Sequence, residues 1–193
     1  PVLVHLVDMS AENAVVAAEL RRLSETDRTT RFYNKNKFDQ MLLNYYPDVE
    51  KVGVIFWNLN NLKTVNDHYG HMQGDVLISA MADCISELVV NMRQVFRIGG
   101  DSFVMMIEDP DEGEIEQVIL TVRERLEQRT AVSRIPISFT EGWAEGPGEN
   151  AAVLVGEADR NMYALRGASH SSDMPDYAKD TMLNDNLFEG LAS

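Results

Sequence analysis

The chain has 193 residues, a formal charge of −14 at pH 7 and 45% hydrophobic residues, which is enough for one domain with a real core and a short appendage. No apolar run approaches the roughly 18 residues that a membrane span needs. The start, Pro1-Val2-Leu3-Val4-His5, has no basic segment ahead of its apolar stretch, so no secretion signal is read there. An acidic field repels nucleic-acid backbones and anionic lipid, which argues against nucleic acid and against direct membrane contact. The single Cys84 allows no internal disulfide, and the four histidines form no zinc pattern with it. A reducing cytoplasm suits such a chain, with any membrane anchor lying upstream.

In chain order, Val2-Leu3-Val4-His5-Leu6-Val7 reads as a short strand, and Ser10 caps a helix over about residues 11–23. Ala11, Ala14, Val15 and Ala18 make an apolar stripe there, suited to pairing with a second copy or to packing back on the domain. A second helix after Asn34 places Phe38, Met41, Leu42 and Tyr45 on one face and ends at Pro47. The run Val52-Gly53-Val54-Ile55-Phe56-Trp57 predicts a central strand covered on both faces. Polar Asn58-Leu59-Asn60-Asn61 follows, then a short helix to about Tyr69. A long helix over 74–90 carries Leu77, Ala80, Met81, Cys84, Ile85 and Leu88 at helical spacing, so Cys84 belongs to the core.

Residues 94–98 and 103–107 read as two strands joined by Gly99-Gly100-Asp101-Ser102, a hairpin. Ile115, Val118, Ile119, Val122 and Leu126 mark a further amphipathic helix. A strand over 135–143 has Pro136 near its start. A last helix over 151–166 buries Leu154, Val155, Ala158, Met162 and Leu165. The remainder, 167–193, is a polar, acidic tail, loose or forming one short docking helix around Leu187-Phe188. This order predicts an α+β fold: a mainly antiparallel central sheet flanked by helices.

Three polar groups converge in that arrangement. They are Asn58-Leu59-Asn60 with Lys63 a turn beyond, the stretch 66–71 with Asp75, and the Gly99–Ser102 turn. Glycines in the turn let a phosphate approach backbone N–H groups. Lys63 supplies positive charge and Asp101 a hard oxygen ligand for Mg²⁺. Taken singly, the glycines are a turn, the asparagines a helix cap and Lys63 a solvated lysine. Only their combination carries a functional reading.

The same residues carry a family resemblance. Asp27-Arg28-Thr29-Thr30-Arg31-Phe32-Tyr33-Asn34-Lys35-Asn36-Lys37-Phe38 resembles the opening D-x-L-T-G-L-x-N-R-x-x-F of the GGDEF domain, the fold of the diguanylate cyclases. Asn58-Leu59-Asn60-Asn61-Leu62-Lys63 resembles D-x-D-x-F-K. Asn66-Asp67-His68-Tyr69-Gly70-His71-Met72-Gln73-Gly74-Asp75 matches N-D-x-x-G-H-x-x-G-D in full. Arg97-Ile98-Gly99-Gly100-Asp101-Ser102-Phe103 resembles R-x-G-G-D-E-F, and Ala158-Asp159-Arg160-Asn161-Met162-Tyr163 the closing A-D-x-A-L/M-Y. The resemblance implies a nucleotide-cyclase-like palm fold. It also implies the family's reaction, in which two GTP molecules are joined into cyclic di-GMP across a homodimer with divalent ions.

On that resemblance Asn66 and Asp75 would hydrogen-bond the guanine, with Gly99 and Gly100 beside the nucleotide and Lys63 at its terminal phosphates. Asp101 and the Leu59 backbone would bind Mg²⁺. The departures weaken this site. Asn58 stands where the family has a metal-binding Asp, and Ser102 where it has an acidic residue near the attacking hydroxyl. Leu62 replaces an aromatic and Arg31 a glycine. An amide oxygen is the poorer Mg²⁺ ligand, and loss of a general base costs about 10²–10⁴-fold. The family's inhibitory R-x-x-D falls on Val90 and Arg93 and is absent. Val4-His5-Leu6-Val7-Asp8-Met9-Ser10 resembles the exit of a PAS sensor domain, with 11–26 as a linker helix.

The expectation is thus three segments: 1–26 as the end of an upstream domain plus linker, 27–167 as the GGDEF domain, and 168–193 as a tail. The function expected is a signalling module that binds GTP or another guanine nucleotide, with Mg²⁺ at a weakened site, little or no cyclase activity, and a homodimer through the linker helix. Two alternatives stand beside it: an active diguanylate cyclase, and a nucleotide-independent dimerisation module.

Overall fold

A computed structural model describes residues 2–89, 93–131 and 136–172, with side chains placed from residue 14 to 164 within those stretches. The elements are α1 (Val2–Glu25), β1 (Tyr33–Asn34), α2 (Lys35–Asn44), β2 (Lys51–Leu59), α3 (Leu62–Tyr69), α4 (His71–Ser86), β3 (Arg93–Arg97), β4 (Ser102–Glu108), α5 (Glu114–Thr130), β5 (Phe139–Pro147) and α6 (Ala151–Ser172). The sheet order is β1-β3-β4-β2-β5. All pairings are antiparallel except β1 with β3. The expected α+β class and mainly antiparallel sheet are therefore what the chain forms.

β2 lies at the centre because both of its faces are apolar, and it is buried from Val52 to Leu59. Strand alternation divides its side chains between two cores. Ile55, Trp57 and Leu59 join Phe103, Met105 and Ile107 under α3, α4 and α5. Val52, Val54 and Phe56 join Phe96, Val104 and Met106 against α2 and α6. Cys84 is buried in the first core, and burial pushes its thiol up. Leu154, Ala158 and Met162 of α6 sit in the second, with Val155 packed against it. At Gly142 of β5 any Cβ would strike the α6 backbone at Ala158 and Met162, so α6 lies directly on that strand.

Several boundaries differ from expectation. Residues 2–7 form no strand: α1 runs unbroken from Val2 to Glu25 and Ser10 lies inside it rather than capping it. Residues 2–7 pair with no strand of the sheet, and extending an existing helix fixes one residue per hydrogen bond. β5 begins at Phe139 and extends to Pro147, four residues beyond Trp143. Pro136 has no N–H to offer a ladder, and both main-chain groups of Ile137 bond the Thr130 hydroxyl instead. α4 starts at His71 and ends at Ser86. Tyr45 is half-exposed and donates to Glu108, while its neighbour Tyr46 is buried and donates to Gln94 at 3.0 Å. The short β1, pairing beside β3, has no counterpart in the sequence reading. Val90, Ile135, the Ala11 and Leu165 side chains, and the tail from 173 with Leu187 and Phe188 lie outside the described residues.

Candidate functional site

The register of β2 against β4 builds the site, because Asn58 stands directly opposite Ser102. Asn58 is buried and its Nδ2 donates to Ser102 Oγ at 3.1 Å. Ser102 Oγ donates in turn to Asp101 Oδ1 at 3.1 Å. The Leu59 N–H donates to the Asp101 carbonyl at 2.8 Å, which brings the end of β2 against the turn before β4. Ile98 N–H bonds the Ser102 carbonyl at 3.0 Å and closes the hairpin. Gly99 and Gly100 are exposed at its tip. A hydroxyl that gives its proton to a carboxylate is no base, so this turn holds Asp101 as its one carboxylate.

The second half of the site is the α3–α4 pair. Asn61, in the left-handed conformation at φ 59°, turns the chain from the strand end into α3. Lys63 is exposed on the first turn of α3, and Asn66 is three residues on, along the same face. The chain reverses at Gly70, φ 82°, where a left-handed residue is needed. That lays Gly74 of α4 against Asn66, so closely that a Cβ there would run into Asn66 Oδ1. Asp75, exposed, follows at once. The Asn66 Oδ1 atom is buried and has no hydrogen-bond partner among the described residues, which leaves a polar group whose desolvation, worth about 1–3 kcal/mol, is uncompensated within the described chain. All the residues singled out in the sequence thus stand on two adjacent features, the strand-end turn and the α3–α4 corner.

One tie was not visible in the sequence. Arg97 donates from Nη1 to both Asp27 oxygens at 3.1 and 3.2 Å and from Nη2 to the Gly100 carbonyl at 2.6 Å. The Thr30 N–H and hydroxyl also bond Asp27, each at 2.9 Å. Burial opposes ionisation of Asp27, but these Thr30 bonds and the Arg97 guanidinium outweigh it and hold the carboxyl below its ordinary value. Phe32 stacks edge-on against Phe103. The opening turn is so fastened to the hairpin, and it carries Arg31 in the left-handed region at φ 67°.

The donor set fits a divalent ion poorly. Asp101 is one carboxylate with one oxygen engaged, and Asn58 aims an N–H, not an oxygen, into the turn. Among the described residues no three His, Cys, Asp or Glu side chains gather to hold a metal. Arg93, at the expected end of the inhibitory motif, is occupied by Glu114 at 2.8 Å and by the Leu88 carbonyl at 3.2 Å.

Sheet, flanking helices and strand-end turn define an α+β domain of the palm type. The profile of the family described as "Diguanylate cyclase, GGDEF domain" matches residues 24–172, and the chain belongs to that family: it is a GGDEF, diguanylate-cyclase-like signalling domain. It is 32% identical over 155 residues to the cyclic di-GMP phosphodiesterase PdeR of Escherichia coli, covering 76% of this chain and 23% of that protein. It is 31% identical over 153 residues to the bifunctional diguanylate cyclase/cyclic di-GMP phosphodiesterase MucR of Pseudomonas aeruginosa, covering 75% and 22%. The chain thus spans about a quarter of the length of these relatives. The crystal structure of the coiled coil and GGDEF domain of DgcB from Caulobacter crescentus superposes with a TM-score of 0.75 at 25% identity, covering 85% of this chain and 93% of that one. Among the described residues no helix is long and apolar enough to cross a membrane.

Proposed function

We propose that this domain binds GTP or a related guanine nucleotide as a regulatory module and makes little or no cyclic di-GMP. The observation that carries the reading is the Asn58–Ser102 hydrogen bond. A cyclase of this family would need two acidic groups there, to bind metal and to activate the attacking hydroxyl, and this chain offers an amide and an alcohol. Loss of the base alone is worth about 10²–10⁴-fold in rate, and loss of metal charge adds to it. The binding half is intact in kind. Lys63 meets phosphate, Asp75 accepts the guanine N–H donors, and the Asn66 amide bonds the base edge. Residues 27–167 carry this module and 1–26 the linker; α6 runs past the expected end at 166 to Ser172, so the segment proposed as a tail, 168–193, begins as helix. Relatives named as phosphodiesterases carry such a domain as about a quarter of their length, which favours control of an attached or partner domain as its role.

A second feature supports a homodimer through α1. Val16, Leu20 and Leu23 recur at four and three residues and are 57%, 62% and 51% exposed, a seam that a lone domain leaves in water. DgcB with its coiled coil covers 85% of this chain, against 75% for its GGDEF domain alone, a difference in keeping with a helix outside the domain.

The test is GTP with Mg²⁺ against the purified chain. A ligand bound only by the folded state raises the melting temperature, and chromatography of the same mixture reads turnover. We expect a thermal shift and no cyclic di-GMP peak. A shift with Lys63→Ala equal to that of the wild type would count against the phosphate role of Lys63.

A further inference from the structure

Asn58 and Ser102 are directly opposed across β2 and β4. Two carboxylates at such positions repel, and beside Asp101 they would need a cation to hold them. This chain places a donor opposite an acceptor instead. The N–H of Asn58 carries positive partial charge and faces the turn, and one Asp101 oxygen already accepts the Ser102 hydroxyl. Mg²⁺ demands near-octahedral oxygen ligands and sheds water reluctantly. One free carboxylate oxygen and main-chain carbonyls do not meet that demand. Asn58 is itself buried, and its Nδ2 is taken up by Ser102 Oγ, so the amide is held by the opposite strand with its N–H toward the turn.

We propose that Asn58 and Ser102 act as one unit, a neutral hydrogen-bonded pair that has replaced the divalent ion, so that the site is built, and takes its ligand, without metal. The ligand half rests on the nucleotide reading above, with Lys63, Asn66 and Asp75 making the contacts; the metal half does not. The pair also explains why both positions depart together. A lone Asn58 opposite a glutamate, or a lone Ser102 opposite an aspartate, would leave one added charge beside Asp101 with neither ion nor full hydrogen bonding to balance it.

The test melts the chain without nucleotide, in EDTA and in millimolar Mg²⁺, as wild type and as the double variant Asn58→Asp/Ser102→Glu. The wild type should melt at the same temperature in both. The double variant, with three carboxylates at one turn, should melt lower in EDTA and gain about 3 °C or more from Mg²⁺. A fluorescent GTP analogue then gives the ligand half. Wild-type Kd should move less than about threefold between Mg²⁺ and EDTA, and that of the double variant at least about tenfold. A wild-type melting temperature raised by Mg²⁺ alone, or wild-type GTP binding weakened tenfold by EDTA, overturns the proposal. Indifference to Mg²⁺ combined with no GTP binding supports the metal half and overturns the nucleotide reading. If the double variant does not fold even in Mg²⁺, the wild-type arms decide.

Discussion

Gly74 sets how closely α3 and α4 approach, because any side chain there meets the Asn66 amide. Gly74→Ala should cost about 1–3 kcal/mol by overpacking and weaken GTP binding by displacing Asn66, both read from urea titrations with and without nucleotide. Arg31 is the opposite case. It occupies the left-handed region at φ 67°, where an L side chain is strained by about 1–2 kcal/mol. Arg31→Gly should stabilise by roughly 0.5–1 kcal/mol, since the greater freedom of glycine in the unfolded chain offsets part of the relief. The Asp27 carboxyl, held low by Thr30 and Arg97 against the opposing effect of burial, gives a signed pH dependence. Its folded pKa lies below its unfolded value, so its contribution is present above about pH 4 and is lost as pH falls through the folded pKa. Asp27→Asn should flatten that part of a stability–pH profile. The residues of the strand-end turn and the α3–α4 corner were legible as three short contiguous stretches, 58–63, 66–75 and 99–103, and pairing of β2 beside the hairpin brings the first to the last. The Arg97–Asp27 pair was not, since 70 residues separate its partners and no local periodicity reports such a contact.

At the scale of elements, the helices with a strong apolar face and the buried β2 followed from periodicity, and the structure keeps them. The misreadings fell where partners decide. Residues 2–7 have strand-like composition, yet pair with no strand of the sheet and continue α1 instead. β1 has only two residues, too short for any pattern to mark, and exists by pairing with Phe96 and Arg97. The start of β5 was set by a hydroxyl, that of Thr130, taking up the Ile137 backbone. α1 gives a prediction of its own. Leu20→Glu with Leu23→Glu should convert a dimer to a monomer in sedimentation velocity while leaving the circular dichroism of the domain intact, because both side chains are exposed and like charges across a coiled-coil seam repel. A sedimentation coefficient unchanged by the pair of charges would move the dimer contact elsewhere.

Over the whole molecule, family and chemistry separate. The GGDEF fold is set by two cores on either side of one sheet, and neither core includes the groups that would drive cyclisation. Substitutions at Asn58 and Ser102 therefore change the chemistry while both cores stand, and any cost to stability falls on the turn where β2 meets β4. The central claim is that the site retains ligand recognition and has lost the reaction. The most direct measurement incubates the purified chain with GTP and Mg²⁺ and reads bound nucleotide by calorimetry and product by chromatography in the same sample. The account predicts saturable GTP binding with no cyclic di-GMP above background. Steady accumulation of cyclic di-GMP by the wild-type chain, abolished by Asp101→Ala, would contradict it.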